Sequence, residues 1–265
     1  MKINNQTKVY ISASAKPGNF GATVYNNLFK KMGMNCIYIP RVFSDAKKLI
    51  EAVKIMNIMG CSVSMPLKGL VIEYLDAIDE IAQKTESVNT IVNNSGYLIG
   101  YNADCYGIEK VLQNVQKGTV LIYGAGSVVN SIIFSIKKLG FTDITVTARS
   151  FQKANESAKK NGVIAKDINI LDDSYGLIIN ATPASIKSGE HQLFSLLNIT
   201  EKVFDLVVSP YDTNFIVEAK QRNYKAICGI EMCKYQLQKQ FEYYIGYKPD
   251  IEEISTIVND MYRNQ

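Results

Sequence analysis

The sequence predicts an α/β protein of two domains. Three observations carry this: short β-branched runs alternate with helical patterns, a Gly-x-Gly turn joins a strand to a helix at residue 124, and two helical segments follow the last strand. The 265 residues sit at the top of what one hydrophobic core supports, and a prior of about 150 residues per domain favours two. With 47% hydrophobic and 20% charged residues, the composition is globular and excludes disorder as the main state. The formal charge of +4 is a weak field and implies no nucleic-acid partner. Lys47-Lys48 and Lys137-Lys138 sit within helical patterns, on solvated faces. Cysteines at 36, 61, 105, 228 and 233 form an odd, scattered set, neither a disulfide framework nor a zinc spacing. No apolar run approaches the ~18 residues of a membrane span, and residues 1–13 lack a signal-peptide core. A soluble, cytoplasmic chain is expected.

The elements follow in order. Val9–Ala13 is a short strand, and a loop through Pro17-Gly18 leads to a helix over Ala22–Met32, with Val24, Leu28 and Met32 on one stripe. Gly33 stops it. Cys36–Ile39 is a strand, Asp45–Met56 a helix and Gly60–Ser64 a strand ended by Pro66. Leu70–Ile81 is predicted helical. Val88–Tyr101 reads as a hairpin turning at Asn94-Ser95-Gly96. This half is expected to form a mixed sheet. Asp104–Val115 is helical, and then a βαβ unit begins: strand Thr119–Tyr123, turn Gly124–Ser127, helix Val128–Leu139, strand Ile144–Ala148. Leu177–Asn180 and Val203–Val208 extend a parallel sheet. Glu231–Tyr244 and Ile251–Met261 are helices that return to the first domain. The expected domains are 1–102 with 231–265, and 103–230.

Gly124-Ala125-Gly126-Ser127 lies between strand and helix, the setting of a dinucleotide turn. Gly124 permits the tight turn, and Gly126 lets the backbone approach a pyrophosphate at the helix N-terminus. The full fingerprint is broken by Val129. After the next strand comes Ala148-Arg149-Ser150-Phe151-Gln152-Lys153, with no carboxylate for a ribose 2′-hydroxyl. Arg149 and Lys153 would instead neutralise a 2′-phosphate, which favours NADP over NAD.

Polar clusters end the strands of the first domain: Ser62–Lys68, Glu86–Thr90 and Tyr101–Asp104. Oxidation of a secondary alcohol needs a base for the hydroxyl proton, and a Lys beside an Asp can serve. Lys68 and Asp104 are the candidates. These segments resemble the shikimate dehydrogenase family, and more closely its shikimate dehydrogenase-like branch. Ser62-Val-Ser64-Met-Pro66-Leu-Lys68 matches the family's Asn-x-Thr-x-Pro-x-Lys, Ser87-Val88-Asn89-Thr90 its Ala-Val-Asn-Thr, and Asn102-Ala103-Asp104-Cys-Tyr-Gly107 its Asn-Thr-Asp-x-x-Gly. Asn180-Ala181-Thr182-Pro183 resembles a cofactor-flanking segment, and Gly229-x-x-Met232-x-x-x-Gln236 the family's Gly-x-x-Met-Leu-x-x-Gln.

The resemblance implies Lys68 and Asp104 as the catalytic pair and Asn89, Ser62, Ser64 and Gln236 around the substrate. It places Asn180, Ala181, Thr182 and Gly229 about the cofactor. The chain also departs from the pattern. Asn19 and Gly21 stand where the family has a Ser-x-Ser carboxylate clamp, with Ser12, Ser14 and Lys16 upstream as candidate replacements. Ser62 and Ser64 replace Asn and Thr, Val208 replaces a Tyr, and Ser127-Val128 replace Gly-Ala. The implied activity is NADP-dependent reduction of 3-dehydroshikimate to shikimate, slowed by these departures, in a water-excluding interdomain cleft. Two alternatives stay open: a quinate or other cyclic hydroxy-acid dehydrogenase using NAD or NADP, and a non-catalytic dinucleotide-binding protein. The pattern suits a monomer or a homodimer. His191 is expected on a surface loop, Cys105 lacks a His to activate it, and Met56, Met59 and Met65 are expected in the core.

Overall fold

The computed structural model describes residues 3–171, 174–186 and 191–263. The chain forms two compact units, one of Met1–Ala103 with Lys234–Gln265, the other of Asp104–Cys233.

The first unit opens with β1 (Lys8–Ser14), α1 (Phe20–Lys31), β2 (Cys36–Val42), α2 (Ala46–Ile55) and β3 (Gly60–Val63). Asp45 starts α2 by accepting from the Lys48 N–H at 3.0 Å. Next come β4 (Ala77–Ile78), α3 (Glu80–Thr85), β5 (Thr90–Asn94) and β6 (Tyr97–Tyr101). The sheet order is β2-β1-β3-β5-β6-β4. β1 runs parallel to β2 and β3, whereas β5 is antiparallel to β3 and β6, so the sheet is mixed. The hairpin turns where Ser95 and Gly96 both take positive φ, 55° and 95°, as a two-residue turn matched to strand twist requires.

A single helix over 70–81 does not form. A short 3-10 turn at Ile72–Tyr74 is followed by β4, which pairs with β6 at Ile99 and Gly100. Asp76 draws the chain to the sheet by accepting from the Leu98 N–H at 2.7 Å. Asp79 then caps α3, accepting from Ala82 N–H at 2.8 Å. The methionine stripe is not core either: Met56 and Met65 are exposed and Met59 half-buried. Met56 sits at the C-cap of α2, off its buried face of Ala46, Leu49, Ile50 and Val53.

The second unit begins with α4 (Asp104–Leu112), β7 (Val120–Tyr123), α5 (Val128–Lys138), β8 (Ile144–Thr147), α6 (Phe151–Asn161) and β9 (Ile164–Ala165). It continues through β10 (Leu177–Asn180), α7 (His191–Ser195), β11 (Lys202–Asp205), α8 (Asn214–Gln221) and β12 (Lys225–Ile227). All six strands are parallel, in the order β12-β11-β10-β7-β8-β9. The strand direction of winding reverses at β7 and β10, the place where a doubly wound sheet opens a ligand crevice. Val120, Ile122, Ile132, Ile136, Val146, Ile179 and Phe204 are among its fully buried residues. The predicted strand 203–208 stops at Asp205, whose carboxylate turns back to accept from Val207 N–H at 3.1 Å. His191 begins α7 rather than lying in a loop, and its side chain is outside the described residues.

The last helices are α9 (Gly229–Ile245) and α10 (Ile251–Arg263). Strand alternation sorts the two faces of the first sheet. Ile11, Ala13, Cys61, Val63 and Ile91 pack with α2. On the other face Tyr10, Tyr25, Phe29, Tyr38, Phe241 and Tyr244 form an aromatic layer with ring centroids 4.7–6.1 Å apart.

Candidate active site

In the first unit, register gathers the polar residues on one edge of the sheet. Ser12 pairs with Ser62, Ser62 with Thr90, and Thr90 with Tyr101. Ser14 ends β1, Ser64 and Lys68 follow β3, Asn89 precedes β5 and Asn102 follows β6. Ligand groups of open α/β sheets collect at such strand ends. Ser14 and Asn89 are buried, Lys68 and Ser62 half-buried, and Ser64 exposed.

Asn89 is anchored through its side-chain oxygen. Its Oδ1 accepts from the Ala103 N–H and from Thr90 Oγ1, both at 2.8 Å. Asn102 Nδ2 donates to Thr85 Oγ1 at 2.8 Å. The segment carrying Lys68 is tied to the same edge, because Val88 N–H donates to the Lys68 carbonyl at 2.9 Å.

Ser62 is turned into the protein. Its hydroxyl accepts from Tyr38 at 2.7 Å and lies 3.0 Å from the Tyr244 hydroxyl and 3.2 Å from Gln240 Oε1. Burial pushes the Tyr38 and Tyr244 hydroxyls up from the usual phenol range, so both stay protonated. Tyr25 donates to Gln240 Oε1 at 2.8 Å. Sequence reasoning missed Tyr38, Gln240 and Tyr244. The available signal was Gln240 lying four residues beyond Gln236, on the same helix face. Gln236 itself is half-buried.

The candidate clamp residues divide. Asn19 is exposed at the N-cap of α1 and makes no side-chain capping bond. Lys16 is exposed, and a Cβ on Gly21 would lie 3.6 Å from the Tyr38 ring and 3.7 Å from its hydroxyl.

In the second unit, Gly124 has φ +141°, and a Cβ there would come within 3.1 Å of Ala181 Cβ and 3.2 Å of Thr182 Cγ2. The turn therefore packs on the Asn180–Thr182 segment at the point where the winding reverses. A Cβ on Gly126 would meet nothing within 4 Å. Ser127 precedes α5, whose Val129 and Asn130 N–H groups donate back to the Gly126 and Ser127 carbonyls at 3.0 and 3.3 Å. At the end of β8, Thr147 Oγ1 is buried without a hydrogen-bond partner, and Arg149 and Lys153 are exposed. The first turn of α6 holds no acidic residue. Open space at Gly126, an orphaned hydroxyl and two exposed cations fit a phosphorylated dinucleotide.

Asn180 is held by a residue that sequence reasoning left out. Its Nδ2 donates to Asp205 Oδ1 at 2.9 Å and to the Thr182 carbonyl at 2.9 Å. Its Oδ1 accepts from Thr182 N–H at 3.1 Å and Oγ1 at 2.8 Å. Asp205 also accepts from Thr213 Oγ1 at 2.6 Å. Burial raises the Asp205 carboxyl from its usual range, against the pull of these donors. Gly229 is demanded by packing, since a Cβ would fall 2.6 Å from the Leu206 carbonyl carbon. Asp104 is 2% exposed and opens α4. Burial pushes the Cys105 thiol up to about 12, so it carries no thiolate. Among the described residues no His, Cys, Asp and Glu cluster fits a metal ion, and no helix is long and apolar enough to cross a membrane.

Fold and strand-end residues together define an α/β protein with a mixed sheet in one unit and a Rossmann-like parallel sheet in the other. Residues 19–91 match the family model described as shikimate dehydrogenase substrate binding domain. The chain is 32% identical over 262 residues to the shikimate dehydrogenase-like protein of Haemophilus influenzae, covering 96% of each. It is 33% identical over 260 residues to a shikimate dehydrogenase (NADP(+)) of Pyrococcus furiosus, covering 94% of each. Among solved structures, a shikimate 5-dehydrogenase-like protein superposes with TM-score 0.87 at 30% identity, all of both chains being covered. A shikimate dehydrogenase in complex with NADP+ gives 0.86 at 28% identity over 98% of each chain. The chain belongs to the shikimate dehydrogenase family.

Proposed function

We propose that the protein is an NADP-dependent dehydrogenase that interconverts 3-dehydroshikimate and shikimate. The observation that carries this reading is the gathering of Ser14, Ser64, Lys68, Asn89 and Asn102 at one edge of the first sheet, in a family whose relatives are named shikimate dehydrogenase (NADP(+)). On this reading Arg149 and Lys153 hold the 2′-phosphate of NADP, and Gly124, Ala125, Gly126 and Ser127 receive its pyrophosphate at the start of α5. Asn180, Ala181, Thr182 and Gly229 line the rest of the cofactor site. The bound nicotinamide supplies hydride acceptance and donation.

The chain's own residues handle the proton. When the alcohol becomes a ketone, Lys68 takes the hydroxyl proton, and it returns that proton in reduction. Asp104 accepts from a ring hydroxyl and orients it towards Lys68. Asn89, its oxygen satisfied by Thr90 and Ala103, turns its amide towards a second hydroxyl. Ser64 and Gln236 contact the substrate, and Asn19 and Ser14 stand at the carboxylate end. Ser62 drops out of direct substrate binding because its hydroxyl is engaged with Tyr38, Gln240 and Tyr244.

The test is nicotinamide absorbance with the purified protein, crossing shikimate and quinate with NADP and NAD. Turnover of shikimate with NADP supports the reading. Turnover of quinate alone moves the same site to another hydroxy acid, and none with any pair, despite cofactor binding, removes shikimate.

A further inference from the structure

Gln240 is 2% exposed and uses its whole amide. Oε1 accepts from Tyr25 at 2.8 Å and Ser62 at 3.2 Å, and Nε2 donates to the Asn89 carbonyl at 3.0 Å and Thr90 Oγ1 at 2.9 Å. With both ends committed, the amide has one orientation: a flip would set Oε1 against the Asn89 carbonyl, which can only accept. The direction propagates. Because Thr90 Oγ1 accepts from Gln240, its proton points to Asn89 Oδ1, which it reaches at 2.8 Å. The Ala103 N–H supplies a second donor to the same oxygen at 2.8 Å. Asn89 Oδ1 is thus held between two donors, which fixes the amide's orientation.

We propose that Gln240 and Thr90 are positioning residues that lock the Asn89 amide in one orientation, so that its oxygen stays turned to Thr90 and Ala103 and the site rejects ligands needing that acceptor. The substrate clause rests on the shikimate reading above, while the lock rests on the hydrogen bonds alone. All participants belong to the first unit. The chain of donors runs from Tyr25 on α1 and Gln240 on α9 through Thr90 on β5, so two helices set the direction of one side chain. A half-satisfied buried network loses this single-valued character.

Thr90→Val tests it, since valine keeps the shape and removes both the acceptor for Gln240 and the donor to Asn89. Thr90→Ser restores the hydroxyl. The expected kinetic result is a KM for shikimate raised about tenfold in Thr90→Val, the worth of one well-made hydrogen bond. kcat and NADP affinity should stay within twofold, and Thr90→Ser should return towards the parent. A general loss of packing would instead lower kcat and cofactor affinity as well. Independently of any substrate, the Asn89 side-chain amide protons of 15N-asparagine-labelled protein should shift and exchange faster with solvent in Thr90→Val. Unchanged Asn89 amide signals would overturn the lock. Shifted signals with an unchanged shikimate KM would overturn its role in binding. If the parent protein neither binds nor turns over shikimate, the functional reading fails while the amide spectrum still decides the lock.

Discussion

Removing the Asp205 carboxylate should destabilise the second unit more than any exposed substitution, and the loss can be worked from its contacts. Asp205→Ala strips the acceptor from Asn180 Nδ2, Thr213 Oγ1 and Val207 N–H. Val207 is half-buried and can turn to water. Asn180 and Thr213 are fully buried, and each donor left unpaired there costs about 1–3 kcal/mol. Asn180 keeps its bond to the Thr182 carbonyl, and removal of a desolvated charge offsets part of the loss. The expected net is about 2–4 kcal/mol, a midpoint lowered by roughly 10 °C for a unit of this size. Calorimetry and urea unfolding would measure it. Asp205→Ala within 0.5 kcal/mol of the parent would refute the idea that this carboxylate organises the Asn180–Thr182 segment.

The same residue fixes a pH slope. Its carboxyl lies above the ordinary value of 3.8 in the folded protein because it is buried. Between 3.8 and that raised value the folded state binds more protons than the unfolded state. Stability contributed by this group is therefore present below the unfolded pKa and falls as pH rises through the window. Asp205→Asn keeps an acceptor for Asn180 and lacks the titration, so its stability relative to the parent should climb across the window and then level off. A difference that stays flat over that range would contradict the burial argument.

Three further outcomes are expected. Gly60→Ala should cost about 1–3 kcal/mol in urea unfolding, because a Cβ there would stand 2.5 Å from Tyr244 Cδ1; a neutral result would mean that the ring moves freely. Lys68→Ala should lower turnover by about a hundredfold to ten-thousandfold with an unchanged circular dichroism spectrum, and equal turnover would remove Lys68 from the chemistry. Arg149→Ala should weaken NADP about tenfold or more while leaving NAD binding within twofold, since a charge-assisted bond to phosphate is worth about 1.5–3 kcal/mol; parallel losses for both cofactors would place the 2′-phosphate elsewhere.

What the sequence revealed follows a physical division. Periodicity exposed α1, α2, α5 and the longer strands β1, β2, β3, β5, β6, β7, β8, β10 and β11, because each buries one face or both. It misread 70–81, where the apolar residues serve a 3-10 turn and a two-residue edge strand held by Asp76, a contact with Leu98 that no local pattern contains. It passed over α8 and β12, which are short and flanked by polar residues. Lys68 and Asp104 were picked out because oxidation of a secondary alcohol needs those residue types, and Asn89 because its segment resembles the family's Ala-Val-Asn-Thr; the structure sets Lys68 after β3, Asn89 before β5 and Asp104 at the start of α4. The partners of Ser62 were not, because Tyr38, Gln240 and Tyr244 approach it from separate elements, and register alone brings them together. Asp205 was hidden for a similar reason, as a strand residue whose role depends on Asn180 and Thr213.

The glycines show where the departures from the family pattern originate. At Gly60 and Gly229 a Cβ would collide with the Tyr244 ring or with the backbone of Leu206 and Val207, and Gly124 holds a φ of +141°, so folding alone demands glycine there. Gly21 is different. A Cβ at that position would make only ordinary contacts of 3.6–3.8 Å with Tyr38 and Tyr25, and its φ is not in the left-handed region. The space at Gly21 therefore admits a serine, and packing does not explain why the family's clamp residue is missing.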